Sequence, residues 1–250
     1  MTKVAVTSRS FSRHPILRAE LLEHYENVTF NDEGKKISGA DLVAYLKEHD
    51  KAITALEIID DALLQALPDI KVISKYGVGY DMVDLNAMAQ HGVRLGWTGG
   101  VNKRSVSELV ISMAVALLRH VPVANNEMRT GTFRQHVGRQ LSDCTIGIVG
   151  CGHVGKDLAN LLRAFGCRVL ANDILDFPKF YGETGVEPAS LETVLKESDV
   201  VTLHLQLDDT TRNILDAKHI DAMKSGAILI NVARGGLVDE AALKSALKSG

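Results

Sequence analysis

The chain has 250 residues, room for two ordinary domains or one large one with a proper core. Hydrophobic residues make up 46% and charged residues 24%, and a net charge of −3 offers no basic surface for nucleic acid. No apolar run approaches the length of a membrane span. The N-terminal MTKVAVTSRSF starts a strand at once and has no signal-peptide core, and three cysteines without a CxxC pair argue against a disulfide framework and for a reduced, cytoplasmic setting.

In chain order, Lys3–Thr7 reads as a strand and His14–Glu26 as an amphipathic helix. Lys51–Leu56 is a second strand, with Asp60 placed to cap the helix after it. Lys71–Ser74 is a third. Asp84–His91 is a short helix closed by Gly92, and Val93–Leu95 is extended. Such alternation of short β-type runs with helical patterns predicts βαβ units and a parallel sheet. Ligands sit at the carboxyl ends of such strands, so the loops Ser8-Arg9-Ser10 and Tyr76-Gly77-Val78-Gly79 stand out. Asn102–Leu118 follows, a helix with few charges that reads as largely buried, between domains or between subunits. A second βα series runs Thr145–Val149, a helix to Phe165, Arg168–Ala171, a helix around Leu191–Lys196, Val200–His204, a helix around Ala217–Met223, Ala227–Ile230, and a helix Glu240–Lys248. There is no repeat and no low-complexity linker. The boundary between the two series falls near Gly99, in WTGGVN, dividing the chain into 1–99 and 100–250.

The segment TIGIVGCGHVGKDLANLLRAFGCRVLANDI carries the most chemistry. It reads strand, Gly150-Cys151-Gly152-His153-Val154-Gly155, helix, strand. The glycines allow a tight turn, close approach of the backbone to a pyrophosphate, and close packing of helix on strand, while the helix N-terminus offers NH groups to the phosphates. The second strand leads to Asp173, about 20 residues on, where a carboxylate accepts hydrogen bonds from ribose hydroxyls and repels a 2′-phosphate. NAD is therefore expected over NADP. Cys151 and His153 fall at variable positions of this loop; a reactive thiol or a general base is the sharper reading and a plain loop position the blander one.

Near the C-terminal end an apolar strand leads into Asn231-Val232-Ala233-Arg234-Gly235-Gly236. A guanidinium delivered there suits a planar 2-oxo acid: its fork matches a carboxylate and polarises a carbonyl as negative charge develops on oxygen. A surface ion pair is the plainer alternative for Arg234. The glycine-flanked NH groups around Val78 and Gly79 form an anion nest or an ordinary turn.

On these motifs the sequence resembles the D-isomer-specific 2-hydroxyacid dehydrogenases. KYGVGYDMVDL is similar to the family's substrate-carboxylate loop, VNKRSVSEL to its hinge segment, GCGHVG with Asp173 to its NAD site, and DVVTLHLQLDDTTRNIL and MKSGAILINVARGGLVDEAAL to its two later signatures. The resemblance implies an α/β architecture: a flavodoxin-like substrate domain and a Rossmann-type, doubly wound NAD-binding domain, with the active site in the cleft between them. It implies reversible hydride transfer between NAD(H) and C2 of a small D-2-hydroxy or 2-oxo acid. By the same resemblance Arg234 holds the substrate, Val78 and Gly79 bind its carboxylate, and Asn102 lies near it. Val232 and Ala233 line the nicotinamide side, and His204 and Thr211 the adenosine side. Family members dimerise at the segment similar to Ser105–Leu118, so a homodimer is expected.

Three departures accompany the likeness. Gln206 stands where the family has proline after His-Leu. Glu57 follows the second strand, where phosphoglycerate dehydrogenases of the family commonly carry Arg-Ser, which argues against a phosphorylated substrate unless Arg9 and Arg13 compensate. The family's acid/base histidine, its supporting glutamate and its last Rossmann strands all lie beyond the position equivalent to Gly250, so the native chain is expected to exceed 27.1 kDa. Should it end at Gly250, the expectation is a non-catalytic NAD(H)-binding sensor or a corepressor-like protein. Formate or phosphite oxidation on the same scaffold is a further alternative.

Overall fold

The computed structural model describes residues 2–249, which divide into two compact units, Met1–Gly99 and Gly100–Gly250. The first unit begins with β1 (Lys3–Val6), α1 (Arg9–Arg13), α2 (Pro15–His24), β2 (Asn27–Phe30) and α3 (Ala40–Leu46). It continues with β3 (Lys51–Thr54), α4 (Asp61–Gln65), β4 (Val72–Lys75), α5 (Leu85–Gln90) and β5 (Arg94–Gly96). All pairings are parallel and the strand order is β2-β1-β3-β4-β5, the flavodoxin-like order. Its core gathers Leu42, Leu46, Ile59, Leu64 and Ile73, each at most 2% exposed.

The second unit opens with α6 (Lys103–Leu118) and α7 (Val121–Arg129). After a 3-10 turn at Leu141–Asp143 come β6 (Thr145–Val149), α8 (His153–Ala164), β7 (Arg168–Asn172), α9 (Pro178–Thr184) and β8 (Glu187–Pro188). Then follow α10 (Leu191–Glu197), β9 (Val200–Leu203), α11 (Ala217–Asp221), β10 (Ile228–Asn231) and α12 (Glu240–Ser249). The order β10-β9-β6-β7-β8 is parallel throughout and reverses direction between β6 and β9, as in a Rossmann sheet. Both faces are covered. Ile146, Ile148, Val169 and Ala171 join the layer under α6 and α8, while Val149, Leu170, Val201 and Leu203 join the opposite layer under α10. That two-sided burial explains why these strands read as near-continuous apolar runs.

Two expectations need correction. His14–Glu26 is helical as expected, forming α2 over Pro15–His24, but it has no apolar face packed on the core: no residue of α2 is buried, and Ile16 and Leu22 point to solvent. The helix read as largely buried between domains or subunits, α6, buries one face only within this chain. Ser107, Val110, Ala114 and Leu118 are covered, whereas Leu109, Met113 and Leu117 are exposed. Its low charge reflects two apolar faces, one of which has no cover within the chain. Among the described residues no single helix is long and apolar enough to cross a membrane; α6 and α7 reach that length only together, and they are bent by 63°.

Candidate active site

The loop after β6 shows what each glycine of Gly150-Cys151-Gly152-His153-Val154-Gly155 is for. Gly150 has φ +97°, and a Cβ there would lie 2.7 Å from the His204 carbonyl oxygen. A Cβ on Gly155 would lie 2.3 Å from the Gly150 carbonyl oxygen, so only glycine lets the first turn of α8 rest on the loop. Gly152 differs. A Cβ added to it meets nothing within 4 Å, and it is the N-cap of α8 without a side-chain cap. The open approach lies where the helix amides point outward, which is the cradle a pyrophosphate needs. The chain therefore fits a dinucleotide at this loop.

Asp173 follows β7 and already works on that loop. One carboxylate oxygen accepts from the Cys151 amide at 2.6 Å and the other from the Leu175 amide at 2.9 Å. Each oxygen keeps lone-pair capacity for a ribose hydroxyl. The Cys151 side chain is buried, and burial pushes its thiol up to about 11, which removes it as a nucleophile at neutral pH. The blander reading of that position holds. The ring of His153 packs against Gly100, so close that a Cβ on Gly100 would lie 2.6 Å from it; this brings the start of the segment bearing Asn102 beside the glycine loop. Asn102 itself precedes α6 as an exposed N-cap with no side-chain hydrogen bond to the helix. Val154 is half-buried in the first turn of α8.

Two positions that sequence reasoning passed over help to hold this frame. Arg104 grips Asp157 of α8 with two hydrogen bonds of 3.0 and 2.9 Å, and the guanidinium holds that carboxyl below the usual carboxylate range. Lys156 sits 3.2 Å from the Phe177 ring centroid, pinning the segment after Asp173 to α8. Both lie within segments that stand out in the sequence, but at positions to which those segments assign no role. Their partners are distant in sequence, and no spacing rule points to them.

His204 and Thr211 follow β9. The His204 imidazole bonds the Thr202 hydroxyl at 3.1 Å, and burial holds it down at about 4, so the ring is neutral at physiological pH. The folded value lies below the ordinary 6.5, so unfolding takes up a proton between the two. Stability is therefore complete above pH 6.5 and falls as pH drops toward about 4, by up to roughly 3 kcal/mol for this one group. His204→Gln is expected to flatten that part of the stability–pH curve. Urea midpoints at pH 7 and pH 5 check it; an equal pH 5 loss in the variant rejects the assignment to His204. Thr211 turns inward on its own loop: its hydroxyl donates to the Gln206 carbonyl at 2.7 Å and accepts from the Asp208 amide at 2.9 Å. Its first role is thus to close the loop that begins at Gln206.

Beyond β10, Asn231 organises the turn. Its side chain donates to the Arg234 carbonyl at 2.7 Å and accepts from the Ala233 amide at 3.1 Å. Val232, Ala233 and Arg234 are half-buried, and Arg234 Nη1 donates to the Ala233 carbonyl at 2.8 Å. Gly236, with φ +83°, reverses the chain so that Leu237 bonds Leu215 and the turn is tied to the loop after β9. The guanidinium is tethered to the main chain through the Ala233 carbonyl, and the turn that carries it is fixed by Asn231, which makes it a positioned cation.

In the first unit, the loop after β4 turns at Gly77, φ +116°. Trp97 Nε1 donates to the Val78 carbonyl at 2.8 Å and fixes the peptide that carries the Gly79 amide. Among the described residues the amides of Val78 and Gly79 donate no hydrogen bond, which leaves an anion nest available. The described residues hold three histidine–carboxylate pairs: His91–Asp61, His136–Glu127 and His219–Asp216. None lies on a motif of the glycine loop, the Arg234 turn or the Val78 loop. No group of three or more possible metal ligands occurs among the described residues.

Two Rossmann-class sheet orders, one carrying a dinucleotide cradle with an acidic ribose partner, define an NAD-binding α/β oxidoreductase scaffold. Comparison with known proteins gives the family. A family model described as "D-isomer specific 2-hydroxyacid dehydrogenase, NAD binding domain" matches residues 111–250. A glyoxylate reductase of Korarchaeum cryptofilum is 31% identical over 93% of this chain and 72% of its own length. A hydroxypyruvate reductase of Thermotoga maritima is 33% identical over 75% of this chain and 61% of its own length. The crystal structure of D-lactate dehydrogenase from Aquifex aeolicus, complexed with NAD and lactic acid, superposes with a TM-score of 0.85 at 26% identity, covering 100% of this chain and 74% of that one. The chain belongs to the D-isomer specific 2-hydroxyacid dehydrogenases. It is an NAD-dependent oxidoreductase of that family, and a non-catalytic sensor or corepressor is not favoured.

Proposed function

We propose that this protein interconverts a short D-2-hydroxy acid and its 2-oxo acid, in the size range of glyoxylate and hydroxypyruvate, with residues 1–99 as the substrate domain and 100–250 as the NAD-binding domain. The observation that carries the reading is the Arg234 turn: a cation held by main chain at the carboxyl end of an apolar strand, in the unit that also holds the dinucleotide cradle. NAD(H), when bound, exchanges the hydride. Gly150, Gly152, His153, Val154 and Gly155 receive its phosphates, Asp173 its ribose, Val232 and Ala233 the nicotinamide side, and His204 and Thr211 the adenosine side. Arg234 binds the carboxylate and stabilises charge on the oxo oxygen. Val78 and Gly79 offer amides to the carboxylate, and Asn102 supports the substrate. The test is NADH oxidation with glyoxylate, hydroxypyruvate, pyruvate and bulkier 2-oxo acids. The expected result is turnover that falls as the side chain grows. NADH binding without turnover on any acid rejects the reading.

We also propose a homodimer. Leu109, Met113 and Leu117 recur every fourth residue along α6 and are all exposed, between 38% and 45%. Such a stripe is the geometry of a helix–helix seam. Light scattering on a sizing column is expected to give twice the chain mass, and Leu109→Asp with Leu117→Asp to halve it. A monomeric wild type rejects the proposal. The cysteines at 144, 151 and 167 are free, which supports a reducing, cytoplasmic location.

A further inference from the structure

Cys144 and Cys167 stand at equivalent points of the βαβ unit that carries the dinucleotide cradle. β6 and β7 pair in parallel with Thr145 opposite Arg168, so the residues one step earlier, Cys144 and Cys167, meet where the two strands begin. Side chains alternate faces along a strand. Ile146 and Ile148 of β6, and Val169 and Ala171 of β7, all enter the layer under α6 and α8. Two steps before Ile146 and Val169 the same face is reached by Cys144 and Cys167, and both pack into that layer. Neighbouring strands lie about 4.8 Å apart, inside the span of roughly 4.4–6.8 Å between α-carbons that a disulfide bridges.

The two thiols also converge on one turn. Cys144 Sγ donates to the Gln140 carbonyl and Cys167 Sγ to the Leu141 carbonyl, both at 3.3 Å. The Leu141 oxygen accepts the Cys144 amide as well, at 3.0 Å, so the two cysteines share a partner atom. A sulfur–sulfur bond removes both S–H donors, which are weak ones. Neither carbonyl is left bare by it. Leu141 keeps the Cys144 amide, and Gln140 keeps the Asp143 amide at 3.3 Å.

Access differs between the two sulfurs. Cys144 is buried and Cys167 half-buried. Burial, together with the neighbouring Cys144 sulfur, pushes the Cys167 thiol up to about 11, and burial raises Cys144 too. Little thiolate is present at neutral pH, so the resting pair is the dithiol. Cys151, the third thiol, lies past the other end of β6 and is out of reach of both.

We infer that Cys144 and Cys167 form a dithiol–disulfide pair, a modification site at which a small-molecule disulfide fastens the base of the cradle-bearing βαβ unit. In the first step the Cys167 thiolate attacks one sulfur of the small disulfide. A mixed disulfide forms, and one small thiolate leaves and takes up the proton that Cys167 lost. In the second step Cys144 gives up its proton and attacks Cys167 Sγ. The mixed bond breaks, the Cys144–Cys167 bond forms, and the second small thiol leaves with that proton. Two protein thiols are oxidised and one small disulfide is reduced to two thiols. The closed loop holds β6, the glycine loop and α8, so the cross-link constrains the unfolded form of the segment that carries the cradle.

The test is incubation of the native protein with excess oxidised glutathione at about pH 8.5, where more thiolate is present, followed by alkylation in denaturant. The wild type is expected to fall from three alkylatable thiols to one. Tryptic fragments 140–156 and 164–168 are expected to appear as one linked species that dithiothreitol separates. Fragment 140–156 holds both Cys144 and Cys151, so variants assign the link. Cys144→Ala is expected to give no link and to retain glutathione on Cys167, which has lost its resolving thiol. Cys167→Ser, at the half-buried position, is expected to give no link either, and it keeps the test open should Cys144→Ala fail to fold. The linked wild type is expected to unfold at a higher urea midpoint than the reduced protein, while the midpoint of Cys167→Ser is indifferent to dithiothreitol. Three free thiols in the treated wild type, the same link in Cys144→Ala or in Cys167→Ser, or a linked form no more resistant to urea than the reduced one overturns the inference.

Discussion

Replacing Arg234 with alanine is expected to lower kcat/KM for the preferred 2-oxo acid by about a thousandfold while leaving the NADH dissociation constant within about twofold. Removing one preorganised donor from a developing oxyanion costs roughly 10²–10³ in rate, and losing a bidentate carboxylate contact adds to it. A thousandfold corresponds to about 4 kcal/mol of transition-state stabilisation. Arg234→Lys separates charge from shape. An ammonium restores attraction but not the fork, so it is expected to recover about a tenth of the lost activity or less. The turn itself survives both changes, because Asn231 bonds main-chain atoms of residues 233 and 234 and not the guanidinium. Steady-state kinetics with a separate NADH titration reads all of this. Activity of Arg234→Ala within tenfold of wild type would remove Arg234 from the reaction.

The second large effect is a contrast between two glycines three residues apart. Gly155→Ala places a methyl 2.3 Å from the Gly150 carbonyl oxygen, a main-chain atom that cannot swing away. Either α8 lifts from β6 or the loop opens. Overpacking of that kind costs about 3 kcal/mol, seen as a lower urea midpoint, and NADH affinity falls with it. Gly152→Ala meets no protein atom within 4 Å, so nothing is overpacked, and only its backbone, at φ −78° and ψ −143°, outside the α and β regions, must adjust. Its unfolding midpoint is expected to fall less than that of Gly155→Ala, while NADH binding weakens at least tenfold because the methyl stands where the pyrophosphate approaches. Equal behaviour of the two variants, in stability or in affinity, is the outcome that contradicts these roles.

Much of this was legible in the sequence, for identifiable reasons. The Rossmann segment announces itself because three separate demands fall within one short loop, on Gly150, Gly152 and Gly155, and Asp173 ends the next strand. The Arg234 turn is visible because a charge and two glycines follow an apolar strand. What stayed hidden has equally physical causes. β2 is a four-residue edge strand with no buried residue, so its alternation is too short to register. α3 starts at Gly39, φ +56°, without a side-chain cap, so no capping signal precedes it. α7 buries nothing and begins after His120 in the left-handed region, which no residue-type rule forecasts. For α9 a signal did exist: Pro178 in its first turn and Gly185 in the left-handed conformation at its end. The position of Lys156 over Phe177 and the grip of Arg104 on Asp157 are tertiary facts, and they appear only when the chain is folded.

The double hydrogen bonding of Asp173 has a bearing on attempts to retarget the enzyme. The residue proposed to select between the two nicotinamide dinucleotides is also a strut, since its carboxylate closes the glycine turn through Cys151 and starts the next segment through Leu175. Preference and loop order are therefore written into the same two oxygen atoms. An engineer who exchanges Asp173 for a small neutral residue to admit a 2′-phosphate also unfastens the turn that must hold both phosphates. A lasting switch to NADP needs a second substitution that returns an acceptor to the Cys151 amide.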